Sequence, residues 1–167
     1  MKKTTNMRAG FTMIELIFVI VIIGILAAIA MNKLSATRDD ATISKIVSNS
    51  KTIVSDAKAY YTAQGLNKWK TVTVADLTDV PLYSDCANNT QVDTNASADA
   101  NGATGQLLGY LCANGQQIVE IDTNDTHIEI KDGGGSGAVH DAVINNATFI
   151  SIKKAVRLGG TGVNFAN

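Results

Sequence analysis

Proline is nearly absent from this sequence: among 167 residues only Pro81 occurs, and from Asn32 to Ala63 there is neither proline nor glycine to interrupt a helix. Histidine and cysteine are equally scarce, at two each. There is no Cys-x-x-Cys, no His-x-x-x-His and no phosphate-binding glycine loop, which excludes the common zinc and nucleotide motifs. The formal charge is −1, so there is no bulk basic field for nucleic acid and no nucleic-acid site is readable. No catalytic constellation is found and an enzyme is not expected. His140-Asp141 has the form of a base and its orienter, but no nucleophile is placed beside it. His127 sits in an alternating run and reads as an exposed strand residue.

What the chain does have is one dense apolar block, Phe11–Ala30, with a single charge, Glu15. As an α-helix, its roughly 20 residues cover about 30 Å, the thickness of a bilayer core. Lys2, Lys3 and Arg8 precede it and are expected to stay cytoplasmic, with the rest of the chain outside the inner membrane. A secretory signal peptide has a shorter apolar run with a cleavage site after it; Ala27, Ala28 and Ala30 only mimic such a site. A plain membrane anchor leaves Glu15 unexplained, because a carboxylate inside a span costs roughly 2.5–3.5 kcal/mol and normally has a partner.

The run Arg8-Ala9-Gly10-Phe11-Thr12-Met13-Ile14-Glu15-Leu16-Ile17 resembles the prepilin signal of type IV pilins and type II secretion pseudopilins. The resemblance is close over roughly residues 1–35 and beyond that is one of general architecture. It implies that a prepilin peptidase cuts after Gly10 and N-methylates Phe11 as the new N-terminus. Glu15 then becomes the fifth mature residue, and its carboxylate is expected to neutralise the Phe11 amine of a neighbouring subunit. Such a pair fixes register more than it adds affinity. Without the ten-residue leader the chain keeps 11 basic and 15 acidic side chains, a net charge of −4. Gly24, Ala27 and Ala28 suit close helix approach and equally suit an ordinary span. Many family members carry a proline near the end of the apolar run; here Met31-Asn32-Lys33 stands instead.

The resemblance further implies a homo-oligomeric helical filament, a membrane platform protein and an assembly ATPase. It is consistent with a pilus serving adhesion, motility or DNA uptake, or with a periplasmic pseudopilus driving secretion. A membrane-anchored secreted binding domain is the reading from another class.

Domain organisation follows: leader 1–10, transmembrane and polymerisation helix 11–31, amphipathic continuation 32–64, and an α+β head 65–167. Ile43, Ile46, Val47, Val54, Ala57 and Tyr61 recur at helical steps, with Ser50 a small gap on the same face and Gly65 the terminator. Run without a break, that helix would span roughly 80 Å. Thr73-Val74-Ala75-Asp76-Leu77 reads as the start of a short helix, with Thr73 as its cap and Asp76 in the capping-box position. Residues 87–105 are polar and read as a surface loop. Strands are expected at Leu107–Leu111, Gln117–Ile121, His127–Ile130 and Thr148–Ile152. Turns are expected at Asn114-Gly115 and Asp122-Thr123-Asn124-Asp125, and a flexible link at Gly133–Gly137. One face of the antiparallel sheet should press on the helix stripe.

With the head outside the cytoplasm, Cys86 and Cys112 are expected to form a disulfide, and a closed loop of about 27 residues stabilises by roughly 3–4 kcal/mol. Calcium is a weaker expectation. Asp122, Asp125 and Asp132 are candidate ligands by composition, and Asp93-Thr94-Asn95 and Asp99-Ala100-Asn101-Gly102 hold oxygen ligands without the Glu of a calcium loop.

Overall fold

In the computed structural model the described residues are 10–93, 95, 106–124 and 127–158. The chain divides into two compact units, Met1–Asp39 and Asp40–Asn167. Helix α1, Met13–Trp69, contributes to both.

From Met13 to Met31 α1 carries a single charge, Glu15, and is otherwise apolar on every side. Its large side chains from Phe11 to Leu34 are exposed, and the helix is long and apolar enough to cross a membrane. Its start is a capping box, in which Thr12 and Glu15 exchange hydrogen bonds.

In the second unit α1 becomes amphipathic. Ile46, Val47, Ser50, Ile53, Val54 and Ala57 are buried at three- and four-residue steps. Ser50, the expected gap, turns its hydroxyl back to donate to the Ile46 carbonyl at 2.9 Å, so no polar group is left open in the stripe. Gly65 breaks the helix with φ 73° and ψ 178°, a conformation glycine adopts without penalty. One further turn then ends at Trp69. The indole is fully buried, Tyr60 and Tyr61 stack near it with ring centroids 6.3 and 6.0 Å away, and its Nε1–H donates to the Asn124 carbonyl at 2.9 Å. Helix α2, Val74–Leu77, starts as expected: Thr73 Oγ1 accepts from the Asp76 N–H. Thr78 after it donates to Asp56 Oδ2 on α1 at 2.7 Å.

The sheet is six-stranded and antiparallel, in the order β2-β1-β3-β4-β5-β6. Its strands are β1 Tyr83–Asp85, β2 Thr90–Gln91, β3 Gln106–Ala113, β4 Gln116–Thr123, β5 His127–Asp132 and β6 Ala155–Arg157. The register pairs Leu111 with Val119, Ile121 with Ile130 and Thr123 with Ile128, which places these side chains on one face. All are buried, and the apolar ones share a single core cluster with the α1 stripe and Trp69. The opposite face carries Tyr110, Glu120, Asp122, Glu129 and Lys131. Asn114-Gly115 joins β3 to β4 with φ 51° and 75°, the left-handed pair a tight hairpin requires.

The structure differs from expectation at several points in the head. Residues Thr148–Ile152 are not a strand but lie within helix α4, Ala147–Ile152, because Asn146 Oδ1 caps it by accepting from the Thr148 and Phe149 N–H groups. A helix that was not expected, α3, spans Ala138–Ile144 and buries Val139, His140 and Val143. The polar segment 87–105 is not wholly loop, since Thr90–Gln91 forms edge strand β2. The link Gly133–Gly137 is pinned rather than loose. The Gly133 N–H donates to the Ile118 carbonyl at 3.1 Å and Ser136 N–H to Gln116 Oε1 at 2.7 Å. A Cβ on Gly135 would stand 2.5 Å from the Gln117 carbonyl oxygen, so only glycine passes this close to β4.

Candidate functional site: the processed N-terminus and its helix

Gly10 and Phe11 are both exposed, Phe11 at 89%. Among the described residues, a Cβ built on Gly10 meets nothing within 4 Å, so their packing does not require glycine here. Lys2, Lys3 and Arg8 of the leader lie outside the described residues.

Thr12 and Glu15 form the only polar device at the head of the apolar helix among the described residues. Both the Thr12 N–H and its Oγ1–H donate to Glu15 Oε2 at 2.7 Å, and the Glu15 N–H donates to Thr12 Oγ1 at 3.3 Å. The carboxylate also sits in the first turn, where the helix dipole favours negative charge. The subunit thus carries its own partners for a group that would otherwise be expensive in hydrocarbon. In the sequence the Thr-x-x-Glu spacing of Thr12 and Glu15 is the trace of this cap.

In the head, Cys86 and Cys112 are joined by a disulfide with Cα atoms 5.5 Å apart, tying the β1–β2 turn to the end of β3. Of the candidate metal ligands, the two described, Asp122 and Asp132, lie on opposite faces of the sheet. Asp122 lies on the polar sheet face, in an ion pair with Lys131. Asp132 projects from the other face, bonded to His140 Nε2 at 2.8 Å. Asp125, Thr94 and the run Asp99-Ala100-Asn101-Gly102 lie outside the described residues. Among the described residues no three His, Cys, Asp or Glu side chains gather as metal ligands.

His140 is a clasp rather than a base with a nucleophile. It is 8% exposed and bridges Asp132 on β5 and Asp141 on its own helix, the latter at 3.1 Å. The Asp132 hydrogen bond raises its pKa against the opposing effect of burial, and Asp141 adds to the rise. Burial pushes Asp132 up, but His140, the Gly134 N–H and Lys153 together hold it below the ordinary carboxylate value. His127 is half-buried in β5, not exposed, with Asn124 Oδ1 3.2 Å from its ring nitrogen. On the polar face, burial and the neighbouring Asp122 push Glu120 up, while the Asp122 hydrogen bond lifts Lys131.

An exposed glycine and Phe and a capped Glu stand together at the head of an exposed apolar helix. Residues 5–31 match the family model described as the prokaryotic N-terminal methylation motif. The chain therefore carries the prepilin signal of type IV pilins and pseudopilins, on an α+β architecture of the kind that signal implies. No curated protein and no solved structure matches the chain.

Proposed function

We propose that this chain is a structural subunit of a type IV pilus-like filament. Prepilin peptidase cuts between Gly10 and Phe11 and methylates the new amine. The mature helix holds the subunit in the inner membrane with its head in the periplasm. A platform protein and a cytoplasmic ATPase then move it into a helical homopolymer. The observation that carries this reading is the methylation motif over residues 5–31, seated on a helix whose apolar surface is uncovered from Phe11 to Leu34.

Within that reading the Thr12–Glu15 box has two uses. Before assembly it satisfies Glu15 inside its own chain. During assembly the Phe11 ammonium of an adjacent subunit replaces the Thr12 donors on the carboxylate, exchanging neutral hydrogen bonds for an ion pair that fixes axial register. Packing of Ile, Leu and Val side chains from many copies supplies most of the association energy.

Two measurements test the proposal. The intact mass of the mature protein should begin at a methylated Phe11; a chain retaining Met1, or cut near Ala30, rejects it. Immuno-electron microscopy of native cells with an antibody to the head should show fibres reaching well beyond the surface. Processed protein confined to the envelope, with no fibres, assigns the subunit to a secretion pseudopilus instead.

A further inference from the structure

Helix α3 is seven residues long and stands between two fixed points. Before it, the glycine link is pinned as far as Ser136, whose N–H donates to Gln116 Oε1 at 2.7 Å. After it, Asn146 is held as the cap of α4. Gly137, at the start of α3, has φ 96°, supplies no side-chain cap and has open space around its Cβ position. Val139 and Val143 are the buried apolar side chains of α3. Among the described residues its one side-chain polar tie to the sheet is His140 Nε2 to Asp132 Oδ1 on β5, at 2.8 Å. The other ring nitrogen, Nδ1, lies 3.1 Å from Asp141 Oδ1. A carboxylate only accepts hydrogen bonds, and a neutral imidazole carries one N–H. Both contacts are therefore satisfied only by the doubly protonated ring. With one proton, a nitrogen lone pair is turned toward a carboxylate oxygen at a residue that is 8% exposed.

From this arrangement we infer that α3 is a flap that opens locally about Gly137, and that His140 is its latch, held shut by the second ring proton. Opening lifts Val139 and Val143 out of the core while the sheet and the pinned link stay in place. The charged groups around the ring are Asp132 from β5, Asp141 from α3 and Lys153 at the end of α4, whose Nζ is 4.0 Å from Asp132 Oδ2. Asp132 Oδ1 also accepts the Gly134 N–H at 2.9 Å, so the fixed half of the latch belongs to the link and not to the flap. The Asp132 hydrogen bond favours the protonated ring over the opposing effect of burial. The latch is therefore complete below the unfolded histidine value of about 6.5 and is released as pH rises through the folded one. Asp132 is held below the ordinary carboxylate value and stays ionised throughout that window. Every group involved lies in the second unit, and the latch does not depend on the proposed filament.

The test is native-state hydrogen exchange of the full chain in detergent, corrected for intrinsic exchange and resolved for α3 and for β4. At pH 6 the α3 amides should be less protected than those of β4. Their exchange should be insensitive to low denaturant, which speeds β4 by promoting global unfolding. At pH 8 the protection of α3 should fall about tenfold, the worth of one charge-assisted hydrogen bond. His140→Gln should leave α3 equally open at both pH values. Asp141→Asn keeps the tie between His140 and Asp132 and should shrink the pH effect, so the test survives a His140→Gln chain that fails to fold. Exchange of α3 only together with β4 would show that there is no separate flap and overturn the inference. Protection of α3 that is the same at pH 6 and pH 8, or a pH effect of full size in the variants, would remove His140 as the latch.

Discussion

Ile22 and Ile53 belong to the same helix, yet Ile22 is 41% exposed while Ile53 is fully buried. Around Ile22 the apolar residues surround the helix on every side; around Ile53 they form a stripe answered by Leu111, Val119, Ile121 and Ile130 of the sheet. Apolar area left in water costs about 25 cal/mol per Å² wherever it lies. The head meets that cost from within its own chain; in the proposed filament subunit the first unit leaves it to lipid and to other copies. Stability and assembly should therefore be separable by mutation.

Glu15→Ala is the largest expected effect on the assembly side. It should leave cleavage after Gly10 and head unfolding unchanged while abolishing filaments seen by electron microscopy. Normal filament yield would remove the proposed amine–carboxylate pairing. Phe149→Ala is its counterpart. Phe149 is fully buried on α4, and its truncation should lower head stability by about 3–5 kcal/mol. Ile22→Ala in the same detergent-held protein should stay within about 0.5 kcal/mol. Thermal unfolding followed by Trp69, the sole tryptophan and a core residue, reads both. An equal loss for Ile22→Ala would mean that the two regions are not energetically distinct.

How much of this difference was visible in the sequence depends on period. The α1 stripe was legible because Ile46, Val47, Val54 and Ala57 repeat at helical spacing over several turns, although Ile53 was overlooked. β3, β4 and β5 were legible from alternation and from the Asn114-Gly115 turn. Helices α3 and α4 are only 7 and 6 residues long, too short for a period to declare itself. Their signals were local: Val139 and Val143 four apart, and Asn146 as a cap. Strand β2 has two residues, fewer than any pattern needs. Over residues 5–31 the N-terminal methylation motif was legible. Thr12 was not, because a capping box is hard to see inside a signal that already accounts for its residues.

The Cys86–Cys112 bridge stabilises the head by restricting its unfolded chain, a mechanism that the first unit has no means to use. Reduction should cost roughly 3–4 kcal/mol by the chain-entropy estimate, with filament-forming residues untouched. Chemical denaturation with and without reductant measures it; a midpoint unchanged by reduction would show that the loop is already ordered without the bridge.

The His140 clasp gives the head a pH dependence. Its folded pKa is raised, so its contribution is complete below the unfolded value of about 6.5 and is lost as pH rises through the folded value. Asp132 is depressed, so its contribution is present above about 3.9 and is lost as pH falls through its folded value. The melting temperature should therefore be higher near pH 6 than near pH 8, and His140→Gln should flatten that slope. An unchanged slope in the variant would place the pH dependence elsewhere.

The smallest expected effect tests whether the head is as fully satisfied as its burial suggests. Thr123 is 2% exposed on the inner sheet face, opposite Ile128, and its Oγ1 has no hydrogen-bond partner among the described residues. A buried hydroxyl without a partner costs about 1–3 kcal/mol relative to water. Thr123→Val keeps the β-branched shape and β propensity and removes that group. It should raise head stability by up to about 1 kcal/mol, read as a higher melting temperature with no change in filament yield. A loss of stability instead would mean that the hydroxyl is partnered in the folded protein, and that the core beside Trp69 is more polar than its geometry indicates.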